Sequence, residues 1–293
     1  LIRNSKKGYK ILEICCGEGE SSGAILENFQ DITFADISKN SLDVIKKNCS
    51  SFLTKSVSFK ECNMDIIPFD NEIFDYAGGS GGHMDLLCYP FARGRLFLEQ
   101  EKDKGQYDNA AQCFWTSGTA MLVRKELFIQ AGKFDEVFFA HMEEIDLCWR
   151  FHAMGYQIWA EPLSTVYHKN AVSLPMHSHR KYYLNHRNSL LMLFSNYSVL
   201  NTFYIGTIRI MLEFIAVVYA ILKLDLNHAT GIIRSLLWIL LHPITIISRR
   251  NQFKKLRKIE DRNILNKLFK GSIVISHYIR GKKTYFDIVP KAD

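Results

Sequence analysis

The sequence predicts an α/β fold, a doubly wound parallel or mixed sheet followed by a helical tail, on three observations. Residues 1–77 alternate short apolar strands with amphipathic helices around a glycine loop. Residues 78–197 carry a second α/β pattern centred on a knot of carboxylates. Residues 198–293 hold two long apolar runs and a strongly basic end. Strand, glycine loop, helix, strand and terminal acid, in that order, is how a parallel nucleotide-binding sheet is wound. With 293 residues, 47% of them hydrophobic, the chain can build more than one core. The three stretches are therefore expected to be three domains.

In the first stretch, residues 9–15 read as an apolar strand running into Gly17-Glu18-Gly19. A helix follows through Ala24, Ile25, Leu26 and Phe29. Residues 31–36 are a second strand ending on Asp36, and Ser38 and Ser41 precede a helix with Leu42, Val44 and Ile45. Residues 57–61 and 73–77 are the third and fourth strands. Glycines let backbone approach a ligand closely, and an acid closing the next strand can accept both hydroxyls of a ribose. A lone Gly-x-Gly is a weak signal, so nucleotide binding and a plain structural turn both fit it.

In the second stretch, Arg93 and Arg95 flank Gly94. This flexible basic loop suits an acidic acceptor or a diphosphate, with plain surface charge as the alternative. Residues 114–124 read as a buried strand leading to a helix through Leu127, Phe128 and Ala131. Glu143, Glu144 and Asp146 then open a helix that continues through Leu147, Arg150, Phe151 and Met154 and stops at Gly155. Carboxylates in a first turn face the positive end of the helix dipole, which favours their ionised form. An ionised carboxylate there can take a proton from a hydroxyl. Asp146 and Arg150 stand four apart, acid first, so Arg150 is expected to orient the cluster; a solvated acidic helix start is the alternative. Residues 156–160 and 164–168 read as strands of the same sheet. Residues 185–188 read as a helix start, and His177, His179 and His186 are given no catalytic role.

The segment from Phe134-Asp135-Glu136 through His141-Met142-Glu143-Glu144-Ile145-Asp146-Leu147-Cys148-Trp149-Arg150 resembles the acceptor-side signature of family 2 glycosyltransferases, in their rhamnosyltransferase-like branch. Gly78-Gly79-Ser80-Gly81-Gly82, Tyr89-Pro90-Phe91-Ala92-Arg93-Gly94-Arg95 and Gly105-Gln106-Tyr107-Asp108 match the same branch, so the resemblance covers about 76–290. It implies an inverting transferase of GT-A type. Glu144 would be the base, beside Glu143, with Asp146 and Arg150 holding the base and the acceptor. His168, in Tyr167-His168, would help hold a divalent metal (Mg or Mn) at the diphosphate of a nucleotide-sugar donor. Glu144 stands where the family has Asp. The family's Asp-x-Asp is absent, since Asp70-Asn71-Glu72 only imitates it.

The first quarter resembles class I S-adenosylmethionine-dependent methyltransferases over about 8–77. Glu13 to Gly19, with Gly17 and Gly19, matches their first motif, Asp36 the ribose acid, and Asn63-Met64-Asp65 the adenine-side motif. Cys15 replaces the first glycine of the usual loop. The two resemblances meet at Phe74-Asp75-Tyr76-Ala77, so the fold expected is a Rossmann-like methyltransferase half joined to a GT-A-like acceptor half. Glycosyl transfer to a glycan or lipid-linked acceptor, in cell-surface polysaccharide synthesis, is the leading expectation. Methyl transfer from S-adenosylmethionine is the alternative, as is an inactive chimera with neither site complete.

The tail bears on location. Residues 199–222 are long enough to span a bilayer, yet Arg209 and Glu213 lie inside the run. A central charge costs about 2.5–3.5 kcal/mol on insertion scales. Residues 231–247 hold Arg234, His242 and Pro243. Both runs are read as interfacial helices, with a spanning hairpin and soluble packing as alternatives. Net charge is +7, concentrated in 249–283 by residues such as Arg249, Arg250, Lys254, Lys255, Arg257 and Lys258. That suits an anionic membrane surface. Nucleic acid is not expected as a partner, because stacking aromatics are sparse there. Seven cysteines without Cys-x-x-Cys read as reduced thiols. No leader opens the sequence, and Leu1 reads as a fragment boundary. The expected location is the cytoplasmic face of the inner or plasma membrane, peripheral or monotopic.

Overall fold

The computed structural model describes residues 10–14, 31–36, 39–48, 56–61, 81–97, 99–101, 104–118, 121–161 and 177–289. β1 (Lys10–Ile14), β2 (Asp31–Asp36) and β3 (Ser56–Glu61) form a parallel sheet in the spatial order β1-β2-β3. The two-residue period of a strand puts Ile32 and Phe34 on one face. There α1 (Lys39–Asn48) lays Leu42 and Ile45 over them, and all four are buried. Phe59 of β3 stacks on Phe34 with ring centroids 5.6 Å apart. The helix expected near 24–29 and the strand at 73–77 lie outside the described residues.

From residue 81 onward the strands pair differently. β4 (Gly82–Met84), β5 (Pro90–Ala92), β6 (Arg95–Leu96) and β7 (Glu99–Gln100) make an antiparallel meander, and β8 (Ala111–Cys113) pairs antiparallel with β9 (Ile158–Ala160). Among the described residues, parallel strand-to-strand pairing is found in β1–β3, and a single parallel bridge joins Asp85 to Phe269. The described strands thus form small parallel and antiparallel sheets, a mixed α/β arrangement as expected. Within β4–β7 the antiparallel pairing follows from connection length: a parallel crossover needs a dozen or more residues, and the links within the meander are too short. The strand expected over 114–124 is displaced. β8 ends at Cys113, and the N–H groups of Phe114 and Trp115 both donate to Gly82 O, which closes the ladder. The Trp115 ring lies so close to Gly82 that a Cβ there would collide with it.

Helices make up the rest: α2 (Lys125–Gln130), α3 (Glu143–Ala153), α4 (His179–Asn196), α5 (Val199–Leu222), α6 (Leu226–Leu241), α7 (Pro243–Leu256) and α8 (Asp261–Leu265). α3 runs through the middle of the core. Ile145, Trp149 and Ala153, at helical spacing, face α4, α5 and α7. Leu147, Cys148, Phe151 and Met154 face α2, β8 and β9. Trp149 is fully buried, edge-on to Phe114 at 5.4 Å and to Tyr197 at 5.1 Å. α4 begins at Ser178, whose hydroxyl accepts from Lys181 N. The helix start expected at 185–188 is therefore mid-helix.

α5 occupies the whole first apolar run. The second run is broken, because Pro243 opens α7 and turns it 73° from α6. Leu191, Tyr197, Ile205, Phe253 and Ile264 share one core, so α4 to α8 pack as a unit across the boundary expected at residue 198. The end of the chain then returns to the meander. Phe269 N donates to Met84 O, Ile273 N to Asp85 Oδ2, and Tyr285 and Ile288 pack on Phe91 and Leu96.

Candidate functional site

The carboxylates expected from sequence stand at the start of α3, and the loop before them is held in an unusual shape. Phe139, His141 and Met142 all have positive φ (63°, 68° and 70°), a region that costs non-glycine residues energy unless the surroundings impose it. Two buried side chains of α4 impose it. Asn188 Nδ2 donates to the carbonyls of Phe138, Ala140 and His141, and Arg187 Nη2 donates to those of Val137 and Phe138. Met142 has no capping side chain, so the first turn of α3 is left to Glu143 and Glu144.

Glu143 and Glu144 each keep part of their surface exposed, but an Oε2 of each is buried and without a hydrogen-bond partner. His141 Nε2, one turn earlier, is in the same condition. Burial first, and then the adjacent Glu143 charge, push the Glu144 carboxyl up to about 8, against the pull of the Glu144 and Met142 N–H groups. Burial also raises Glu143. Desolvation thus outweighs the helix-end effect expected to keep these acids ionised. The outcome is a carboxyl tuned to exchange a proton near neutral pH. His141 is lowered by burial and by Lys181, which favours a neutral imidazole. Phe139 stands 66% exposed beside this turn, with the Arg180 guanidinium 4.4 Å above its ring.

Asp146 and Arg150 pair as the spacing predicted, Nε to Oδ2 at 2.9 Å, but deep in the scaffold. Asp146 is fully buried, and its Oδ1 takes Arg249 Nη2 at 2.8 Å and Asn196 Nδ2 at 2.9 Å. Arg249 also pairs with Asp135, and Arg150 donates to Lys133 O. The two residues therefore lock α3 to α4 and α7. Arg93 likewise turns inward, donating to Tyr107 O and Asn109 O, and Arg95 donates to Phe97 O. Their loop is a built hairpin turn, not the free basic loop expected.

Of the residues expected to bind a cofactor, Glu13 lies in β1, opposite Phe34 of β2, and Asp36 closes β2 at its carboxyl end. The parallel register sets Ile14 beside Ala35, so the chain leaving β1 toward Gly17 and Gly19 starts next to Asp36. Gly17, Gly19, Asp65 and His168 lie outside the described residues. Among the described residues no group of three or more His, Cys, Asp or Glu side chains is arranged to hold a metal.

The sequence reading missed Arg187, Asn188, Asn196 and Arg249 as the parts that hold the site. A signal for two of them was present. Leu184, Arg187, Asn188 and Leu191 follow the spacing of one buried helical face, and polar side chains on such a face need partners.

Comparison with known proteins gives two partial matches. Residues 11–88 match a family described as a methyltransferase domain, a span that runs past the expected junction at 77 and includes β4. Two curated relatives, the N-acetylglucosaminyl-diphospho-decaprenol L-rhamnosyltransferases of Mycobacterium tuberculosis strains CDC 1551/Oshkosh and ATCC 25618/H37Rv, are each 41% identical over 59 residues. The match takes in 20% of this chain and 19% of each relative, so the chain spans about a fifth of the length of the curated relatives it matches. Both findings are with transferases.

Proposed function

We propose that the chain is a transferase whose amino-terminal sheet binds S-adenosylmethionine as a methyl donor. The observation that carries this reading is the match of residues 11–88 to a methyltransferase domain family, together with the parallel order β1-β2-β3 that brings Asp36 beside the exit of β1. Ligands of such sheets bind at the carboxyl ends of the strands. Bound there, the cofactor supplies an electrophilic methyl group. Asp36 would accept the ribose hydroxyls, Asp65 would hold the adenine side, and Glu13, Gly17 and Gly19 would shape the loop between them. Calorimetric titration of the full chain with S-adenosylmethionine tests this. Binding is expected and is expected to be lost in Asp36→Ala; no binding to the unaltered chain refutes the reading.

A second reading, glycosyl transfer of the inverting family 2 kind, is favoured by a separate observation: the clamped, strained loop that ends in Glu143 and Glu144. Glu144 would take the proton of an acceptor hydroxyl as that oxygen attacks the anomeric carbon and a nucleoside diphosphate leaves. Phe139 offers a ring on which an acceptor sugar can stack. Asp146 and Arg150 would position the base through the helix. His168 would be the metal-side residue. Release of nucleoside diphosphate from a nucleotide sugar should fall about 100-fold or more in Glu144→Gln. Turnover that survives this change removes Glu144 as the base.

A further inference from the structure

We propose that the outer face of α5, together with the end of α7 beside it, is a docking surface for an anionic lipid bilayer, with α5 lying along the bilayer rather than across it. This does not depend on which group the chain transfers.

The helix has one polar side and one apolar side. Arg209 and Glu213 are both buried and paired at 2.6 Å, and they are fastened to Leu87 O, Ser189 Oγ and His186 Nδ1. The opposite side presents Leu200, Phe203, Met211, Phe214, Ile215 and Val218, each more than half exposed. That is a continuous stripe at helical spacing, larger than the scattered apolar residues of an ordinary surface. Between α5 and the end of α4 an open groove of about 560 Å³ is lined almost wholly by apolar atoms, with room for part of an acyl chain.

Charge selects the occupant. Asp261 binds Arg257 through one oxygen and Ser198 N and Asn201 Nδ2 through the other, which fixes the end of α7 against the start of α5. Lys254, Lys255, Lys258 and Arg262 are exposed in that region. An apolar stripe with a basic rim fits acidic headgroups above and acyl chains below. A second copy of the chain would bring the same positive rim and be repelled. Orientation follows from the inner side of α5. It is bonded to Leu87, in the non-helical link between β4 and β5, and irregular backbone of that kind is not placed in hydrocarbon.

Flotation of the full chain with vesicles of phosphatidylcholine, alone or mixed with phosphatidylglycerol, tests the proposal. Binding to the mixed vesicles is expected, about tenfold or more weaker to the neutral ones and falling as salt rises. The double change Phe203→Glu with Phe214→Glu should cut it by about 100-fold with circular dichroism unchanged. Lys254→Glu with Lys258→Glu should cut it by about tenfold. Alkaline carbonate should strip the chain from the vesicles. Equal binding to both vesicle types, or flotation that survives the double Phe change, overturns the proposal. Retention through carbonate overturns the in-plane orientation. A dimer that forms at the expense of vesicle binding and dissociates in Phe203→Glu overturns the bilayer as occupant.

Discussion

α3 and α5 each bury an arginine and a carboxylate four residues apart, and the two pairs do opposite work. In α3 the acid comes first, the order an isolated helix favours, and Asp146–Arg150 joins with Arg249 and Asn196 to bind three helices around a polar site. In α5 the arginine comes first, the weaker order, and Arg209–Glu213 hides its charges so that the rest of the helix can face outward bare. Spacing is the same in both. What differs is the partners, and with them the meaning of the pair.

Breaking the α5 pair should have the largest effect. Arg209→Met leaves Glu213 buried beside His186 alone, at a cost of about 3–5 kcal/mol, whereas Arg209→Met with Glu213→Leu should recover most of it. Urea denaturation of both variants decides this; a double change as costly as the single one would mean the pair itself is a net source of stability. On the α3 side the loop clamp comes next. Asn188→Ala removes a donor from the buried Phe138 carbonyl, which keeps Arg187, and from the part-buried Ala140 and His141 carbonyls; it should cost about 3 kcal/mol, with loss of any transfer activity that depends on Glu144. Arg249→Met should cost less, about 2 kcal/mol, because Asp146 keeps Arg150 and Asn196.

The smallest effect sharpens the comparison through pH. Glu144 is raised from 4.5 to about 8, so between those values the folded chain binds more protons than the unfolded one. Its contribution to stability is full below pH 4.5 and is lost as pH rises through 8. Glu144→Gln should therefore match the unaltered chain near pH 5 and melt roughly 2 °C or more higher above pH 8. A thermal scan across that range checks it, and equal pH dependence in both would place the titration on another group. If Glu144 is the base, transfer should rise with pH toward 8 while stability falls.

The sequence determined the local pieces of this protein. Period-two alternation located β2 to the residue and apolar length located α5, because these follow from which side chains can share a face. The acidic turn at Glu143 and Glu144 and the Asp146–Arg150 pair were legible for the same reason, whereas the break at Pro243 was not read from the run that contains it. Only the tertiary structure decided what lay around them. The meander of β4–β7 stands where a glycine-rich turn and a basic loop were expected, and it is antiparallel because its short links cannot cross over. Asn188 and Arg249 reach the site from 47 and 103 residues or more away along the chain only once the helices have packed: Asn188 bonds Ala140 and His141, and Arg249 bonds Asp146. A helix-start acid is expected to be ionised from sequence, and burial against a second carboxylate reverses that. Desolvation depends on what the rest of the chain brings near, and spacing along one helix carries no record of it.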